Sequence, residues 1–431
     1  MRTRRGTGRA PNAVRAIITL SWGLLVGHPA TLLAQTCPDW SPERQAFFGD
    51  VHVHSALSFD AYAFEGRNGP RDAYRFARGE PIGLPPLDAQ GDPTRSLQLR
   101  RALDFAAVTD HAEMLGETRL CTAGGLQTPA CDAIRNGEFG LSALYFGDQF
   151  RSEDPMRRDF CGADGALCLA VASNVWADIV AAADEFDESA GGCGFTAFAG
   201  YEWTASPGST LHRNVLFRGE DVPALPLSYV EVQSPPALWA ALESQCETVG
   251  GDCEALAIPH NSNQSSGQTF LTTEPDGSPM TRETALLARR MQPLVELVQH
   301  KGDSECRPGV DTTDEGCGFE KIPGLPVADD APLSYVRNAL KAGLALDAAL
   351  GVNPFTLGLV ASTDTHNATP GATEEDDWAG HVGDLDASSA ARLSGESLLQ
   401  NPGGLMVLWS EENSRDALFE AMRRRESYAT S

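Results

Sequence analysis

The sequence predicts an α/β fold built around a largely parallel sheet, and three features of its 431 residues carry that reading. Short apolar runs recur, each bounded by turn residues. Stretches of helical length lie between them, and strands alternating with helices imply parallel pairing. Most of the runs also end in a side chain able to hold a metal. Parallel strands are buried on both faces, so ligand sites collect at their carboxyl ends.

Residues 1–34 read as an export signal. Arg2, Arg4, Arg5, Arg9 and Arg15 precede an apolar run over 16–27, and Ala30 and Ala34 are small enough for cleavage. An uncleaved anchor or a disordered tail is the alternative. The run is short for a membrane span, and no later stretch is expected to reach that length. Thr36 stands before Cys37 where a lipobox wants Gly or Ala, so periplasmic or extracellular release is expected rather than a stable membrane anchor. Residues 35–431 are then expected to form one domain.

Strands are predicted at 46–51, leading into His52 and His54, and at 103–108, leading into Asp110 and His111. Runs at 195–199, 255–258 and 294–298 lead into Glu202, His260 and His300, and the run at 357–361 leads into Asp364 and His366. A seventh run, 215–217, is preceded by His212. Either that strand runs opposite to its neighbours or His212 reaches in from a loop. Helices are predicted over 174–189, 236–249, 331–350 and 413–426. The Gly/Pro/Asp segments 79–96, 112–170 and 303–330 carry six of the ten Cys and read as long disulfide-stapled loops.

Eight Cys form close sequence pairs, Cys121/Cys131, Cys161/Cys168, Cys246/Cys253 and Cys306/Cys317, which leaves Cys37 with Cys193. In an oxidising compartment these read as disulfides. No C-x-x-C occurs, which disfavours Cys zinc sites. The formal net charge is −26, and about −31 without the Arg-rich leader. A surface that acidic repels polyanions, so nucleic acid is not expected as a partner. A small phosphorylated ligand held through cations is not excluded.

His52-Val53-His54 is the sharpest element. Residues i and i+2 of a strand share a face, so two imidazoles can lean onto one cation. Asp364-Thr365-His366 repeats that spacing with one oxygen and one nitrogen ligand. Histidine and carboxylate without thiolate suit Zn, Mn or Fe. Of the adjacent Asp110 and His111, only one can face inward on a regular strand. His111 is the expected ligand, with Asp110 either orienting an imidazole or capping a helix. Glu202, between Tyr201 and Trp203, suits a carboxylate bridging two cations or one paired with an Arg.

Phe48-Gly49-Asp50-Val51-His52-Val53-His54-Ser55, Val108-Thr109-Asp110-His111, Gly200-Tyr201-Glu202-Trp203, Ile258-Pro259-His260 and Ser362-Thr363-Asp364-Thr365-His366 resemble the ordered motifs of the PHP (polymerase and histidinol phosphatase) superfamily. More closely, the chain is similar to an exported branch of it, marked by Gly-Tyr-Glu-Trp-Thr and Ser-Thr-Asp-Thr-His-Asn. The resemblance covers roughly residues 46–431. It implies a distorted (β/α)7 barrel whose rim holds two or three divalent metals. It assigns His52, His54, Asp60, His111, Glu202, His212, His260, Asp364 and His366 as ligands, with a substrate contact as the alternative for His212. It leaves open whether a closing segment follows Ser431.

The chemistry expected is hydrolysis of a small-molecule phosphoester, with the metals lowering the pKa of water toward about 7. A metal hydrolase acting on amide or sulfate bonds, or a non-enzymatic metal-binding protein, is the alternative. No Gly-x-Ser-x-Gly elbow and no Walker loop occurs. Arg213 and Lys301 are candidate phosphate contacts or ordinary surface charges. His300 and His381 are candidate acids or structural residues. Trp203 and Trp378 line the pocket or belong to the core. Oligomeric state is not legible.

Overall fold

The computed structural model describes residues 37–431 apart from 190, 252, 322–330, 375 and 394–400. The leader read over 1–34 lies outside the described residues.

Each predicted apolar run forms a strand. In chain order the strands are β1 (Gln45–Asp50), β2 (Ile82–Leu87), β3 (Pro93–Leu97), β4 (Phe105–Val108), β5 (Thr196–Trp203), β6 (Arg213–Phe217), β7 (Ala255–Pro259), β8 (Leu294–Gln299), β9 (Gly302–Asp303), β10 (Gly358–Ala361), β11 (Met406–Ser410) and β12 (Ser427–Ala429). A seven-stranded sheet runs β12-β11-β1-β4-β5-β6-β7, and a second sheet runs β10-β8-β9. β4, β5, β7 and β8 are buried along their whole length, as continuous apolar runs require.

The main sheet is mixed rather than largely parallel. β1, β4 and β5 pair in parallel, as do β8 and β10, but β11 pairs antiparallel with β1 and β12 with β11. β6 runs antiparallel to both β5 and β7. That reversal resolves the position of His212. The residue precedes β6 and therefore lies at the end where β5 and β7 finish. The two sheets meet past the ends of β1 and β10 through a parallel bridge between Val53 and Thr365, where the His54 N–H donates to the Thr365 carbonyl at 2.8 Å. The fold is thus α/β with a curled, half-barrel sheet; among the described residues the ladders do not close into a (β/α)7 barrel.

The helices Pro235–Val249, Val336–Leu350 and Arg415–Arg424 fall where expected. The helix predicted over 174–189 starts earlier, at Ala166, and ends at Phe186. Val175, Trp176, Ile179, Ala182 and Ala183 recur at helical spacing on its buried face. Trp176 meets Tyr201 of β5 edge-on at 5.7 Å and donates from Nε1 to the Pro223 carbonyl at 2.8 Å. Contrary to expectation, one stretch among the described residues does reach spanning length. Ala163–Phe186 is apolar enough to cross a membrane by length and composition, although its inner face packs in the core cluster.

The segment 112–170 is not a loop. It contains the helices Leu115–Thr122, Pro129–Arg135 and Phe139–Phe146. Pro129 stands at the first position of its helix, where the N–H it lacks would have no partner anyway. Thr128 caps that helix by accepting the Cys131 N–H at 3.2 Å. Segment 79–96 contributes most of the β2–β3 hairpin. All five expected disulfides form, and they leave no free cysteine. That pattern is consistent with an oxidising compartment.

Caps of this kind give a first stability prediction. Thr281 accepts the Thr284 N–H at 3.2 Å at the start of the helix Arg282–Met291. Replacing Thr281 with Ala is expected to remove about 1 kcal/mol. A urea-unfolding midpoint that does not move would refute this.

Candidate metal centre

The ends of β1 and β10 are tied together before any ligand is placed. The buried Asp50 carboxylate accepts the Gly371 N–H at 2.8 Å, the Thr363 hydroxyl at 2.6 Å and the His52 N–H at 3.2 Å. Burial raises its pKa to about 6 even against those donors. Beyond this knot His52 and His54 turn inward, their ring centroids 5.3 Å apart. Asp364 departs from the strand geometry expected of it. β10 stops at Ala361, and Asp364 takes a φ of 57°. Asp tolerates the left-handed region better than most residues, and such outliers gather at functional sites.

The predicted ligands converge. His54 Nε2 lies 3.2 Å from Glu202 Oε2 and 3.2 Å from Asp364 Oδ1. His52 Nε2 lies 3.4 Å from the first and 3.3 Å from the second. Asp60 Oδ2 sits between His111 Nε2 at 3.0 Å and His366 Nε2 at 3.1 Å. The other Glu202 oxygen, Oε1, faces His212 Nδ1 at 2.8 Å and His260 Nε2 at 3.4 Å. Asp364 Oδ2 meets His300 Nε2 at 3.3 Å and also Lys301 Nζ. His54, Asp60, His111 and His366 offer ligand atoms all within 4.8 Å of one another, as do His52, His54 and Asp364.

The outer ring nitrogens explain why the inner ones face the cluster. Ser58 Oγ donates to Asp110 at 2.8 Å and so accepts from His54 Nδ1 at 3.0 Å. Thr204 Oγ1 donates to Glu202 at 3.1 Å and accepts from His111 Nδ1 at 2.5 Å. His52 Nδ1 faces Glu296 at 3.1 Å, and His366 Nδ1 faces the Asp364 carbonyl at 2.9 Å. Each arrangement leaves an Nε2 lone pair pointing inward.

The donor set fits a cation. Among the described residues, His52 Nε2, His54 Nε2, His260 Nε2, His300 Nε2 and Asp364 Oδ1 are buried without a hydrogen-bond partner. Buried polar atoms are rarely left so. Burial opposes charge on Glu202, Asp60 and Asp364, yet the surrounding histidines, with Lys301 beside Asp364, hold all three carboxyls well below the usual range. Burial likewise opposes charge on His52, but Asp364, Glu296 and Glu202 outweigh it and push its pKa well up. A cation would take the place of those protons.

Other expectations need correction. Arg213 does not join the cluster. It is fully buried, donating from Nε to Gln292 at 2.7 Å and from its other nitrogens to the Leu211 and Thr269 carbonyls. His381 stands behind His300, at a ring distance of 5.8 Å, and contacts the Pro402 carbonyl through Nε2 at 2.9 Å. Burial lowers its pKa to about 4, so it is neutral near pH 7, and it does not reach the cleft as a proton donor must. Asp110 orients His54 only through Ser58 and caps no helix. Glu202 pairs with no Arg among the described residues. Trp203 is core, its Nε1–H held by the Val232 carbonyl at 3.0 Å, and Trp378 does not line the cleft.

Glu296 was not foreseen, although a lone carboxylate inside an otherwise apolar strand was its signal. Ser58 also went unnoticed, and it gives a second prediction. Replacing Ser58 with Ala is expected to weaken cation binding about 10- to 100-fold, since imidazole-orienting partners contribute on that scale. An unchanged affinity in metal titrations would show that Ser58 only fills space.

A cleft of about 230 Å³ opens onto the cluster, reaching His111, Glu202, His212, His260, Lys301 and Asp364. A larger one of about 780 Å³, lined by Arg289, Arg290, Arg423 and Arg425, contains no imidazole. Residues 41–431 match DUF3604, described as a protein of unknown function. The chain belongs to this family. DUF3604 therefore spans the whole cluster, from His52 to His366. No curated protein matches. A crystal structure of a two-domain protein containing predicted PHP-like metal-dependent phosphoesterase from Bacteroides vulgatus aligns at 12% identity over 92% of this chain and 67% of the other. Its TM-score of 0.37 is too low for it to bear on the DUF3604 fold or chemistry.

Proposed function

We propose that the chain is an exported, metal-dependent hydrolase of the PHP superfamily, acting on a small-molecule phosphoester. The observation that carries this is the meeting of His54, Glu202 and Asp364 within 3.2 Å contacts, surrounded by imidazole nitrogens that lack hydrogen-bond partners. Nothing in the core requires so many coordinating groups at one point. In this reading the half-barrel sheet is part of a distorted (β/α)7 barrel. The five disulfides support release into an oxidising compartment.

His54, Asp60, His111 and His366 would hold one ion, and His52, His260 and Asp364 another, with Glu202 between them, His212 beside it and Glu296 orienting His52 through its Nδ1. Two or three Zn, Mn or Fe ions suit this set. Bound there, divalent cations supply Lewis acidity and lower the pKa of water. The chain's own residues do the rest. Glu202 and Asp364 keep the cluster anionic. Lys301, at the mouth and held to Asp364, offers an ammonium to an anionic oxygen of the substrate. His300 contacts the same carboxylate and stays neutral, because burial and the Lys301 charge hold its pKa well down.

Metal analysis of the purified chain should find two or three equivalents. A panel of phosphomonoesters, phosphodiesters, arylsulfates and amides should then give metal-dependent release of phosphate esters only. Turnover of sulfate or amide substrates alone would move the chain to another hydrolase class. Metal without any turnover would leave a binding protein.

A further inference from the structure

The cleft over the cluster has a lining of two chemical kinds. One is the ligand set. The other is Phe59, Phe64, Phe139, Phe150 and Val382, with Arg151 beside them. The rings form two pairs, Phe59 with Phe150 at 5.8 Å and Phe64 with Phe139 at 4.4 Å. Each pair touches a predicted ligand, Phe59 meeting His111 at 5.7 Å and Phe64 meeting His366 at 5.8 Å. An aromatic surface thus continues directly from the imidazoles. Phe139 and Phe150 come from the helical segment that sequence alone assigns to loop.

Phe59, Phe64 and Phe150 are largely buried, Phe59 and Phe150 within a core cluster that Phe139 packs against, and the ring surface turned to the cleft offers a wholly polar group nothing. It favours a flat apolar one, through burial and edge or offset ring contacts. A cleft of about 230 Å³ lies below the roughly 300–1,000 Å³ of pockets for drug-sized ligands, so the group is small. Arg151 is exposed, its guanidinium 5.0 Å from the Phe150 ring, and its side chain has no acid partner among the described residues. It is free to meet an anionic oxygen.

We infer that the cleft selects an anion carrying one aromatic ring, such as an aryl phosphoester, with the ring against the Phe59–Phe150 and Phe64–Phe139 pairs and the charged end at Lys301 and the cluster. This deepens the phosphoesterase reading and rests on it for the charged end.

Calorimetric titration of the metal-loaded full chain with phenylphosphonate and methylphosphonate, neither of which has an ester bond to cleave, tests it without turnover. The phenyl compound should bind at least about tenfold more tightly. Phe139→Ala and Phe150→Ala should each shrink that ratio, the phenyl compound losing more affinity than methylphosphonate, and Arg151→Ala should weaken both ligands alike. Equal affinities in the wild-type chain overturn the inference however the variants behave. Benzenesulfonate and methanesulfonate separate the two readings. A ring preference among sulfonates with no phosphonate binding sinks the phosphoester and leaves the aromatic selection standing. Binding of none of the four overturns both.

Discussion

Replacing Glu202 with Gln should cost the protein at least one equivalent of bound cation and lower turnover at least about a hundredfold. The side chain is isosteric, so packing is preserved and the change falls on charge. Glu202 presents one oxygen to His52 and His54 and the other to His212 and His260, within 2.8–3.4 Å of all four. A neutral amide presents a donor where a cation expects a lone pair. Loss of a partner that merely orients a ligand already weakens metal affinity 10- to 100-fold, so loss of the carboxylate proposed to stand between two cations should reach at least the upper end of that range. Metal content by mass spectrometry and rates on whichever ester is turned over are the measurements. A variant with full metal content and wild-type rate would place the chemistry elsewhere.

Removal of the Cys37–Cys193 disulfide should destabilise the fold more than removal of any local one. It closes a separation of 156 residues, against 10 for Cys121–Cys131. Chain entropy alone predicts about 5 kcal/mol for the long loop and about 3 kcal/mol for the short one. The bond also fixes the segment before β1, where the Cys37 N–H donates to Glu412 at 2.8 Å, beside the turn that leads out of β11. Urea unfolding of the Cys37→Ser/Cys193→Ser and Cys121→Ser/Cys131→Ser variants, without reductant, makes the comparison. Equal shifts in the midpoint would show that the unfolded chain keeps residues 37 and 193 close without the bond.

What could be read in the sequence follows from what is local. His52 and His54 were legible because a strand alternates with period two and the rule needs no partner. The cysteines were legible because short separations leave few ways to pair. Arg213 fails by the rule that found the histidines. As the first residue of β6 it turns away from His212, and it ends under Trp203 with a guanidinium-to-ring distance of 5.8 Å. Lys301 escapes that logic because β8 has ended at Gln299, so its side chain and that of His300 can both reach Asp364. Glu296 needed knowledge of which strand stands opposite His52, which no spacing supplies. The helices within 112–170 were hidden by residues read as loop markers, such as Pro129, which in fact opens a helix.

The reversed direction of β6 has a bearing on how this centre can diverge. Most rim segments carry a predicted ligand at one end only and can grow or shrink while their far end adjusts. The reversal joining β5 to β6 differs, because Glu202 stands at its beginning and His212 at its close. An insertion there would drag two predicted ligands at once, so new specificities should arise by lengthening other rim segments while this one keeps its length.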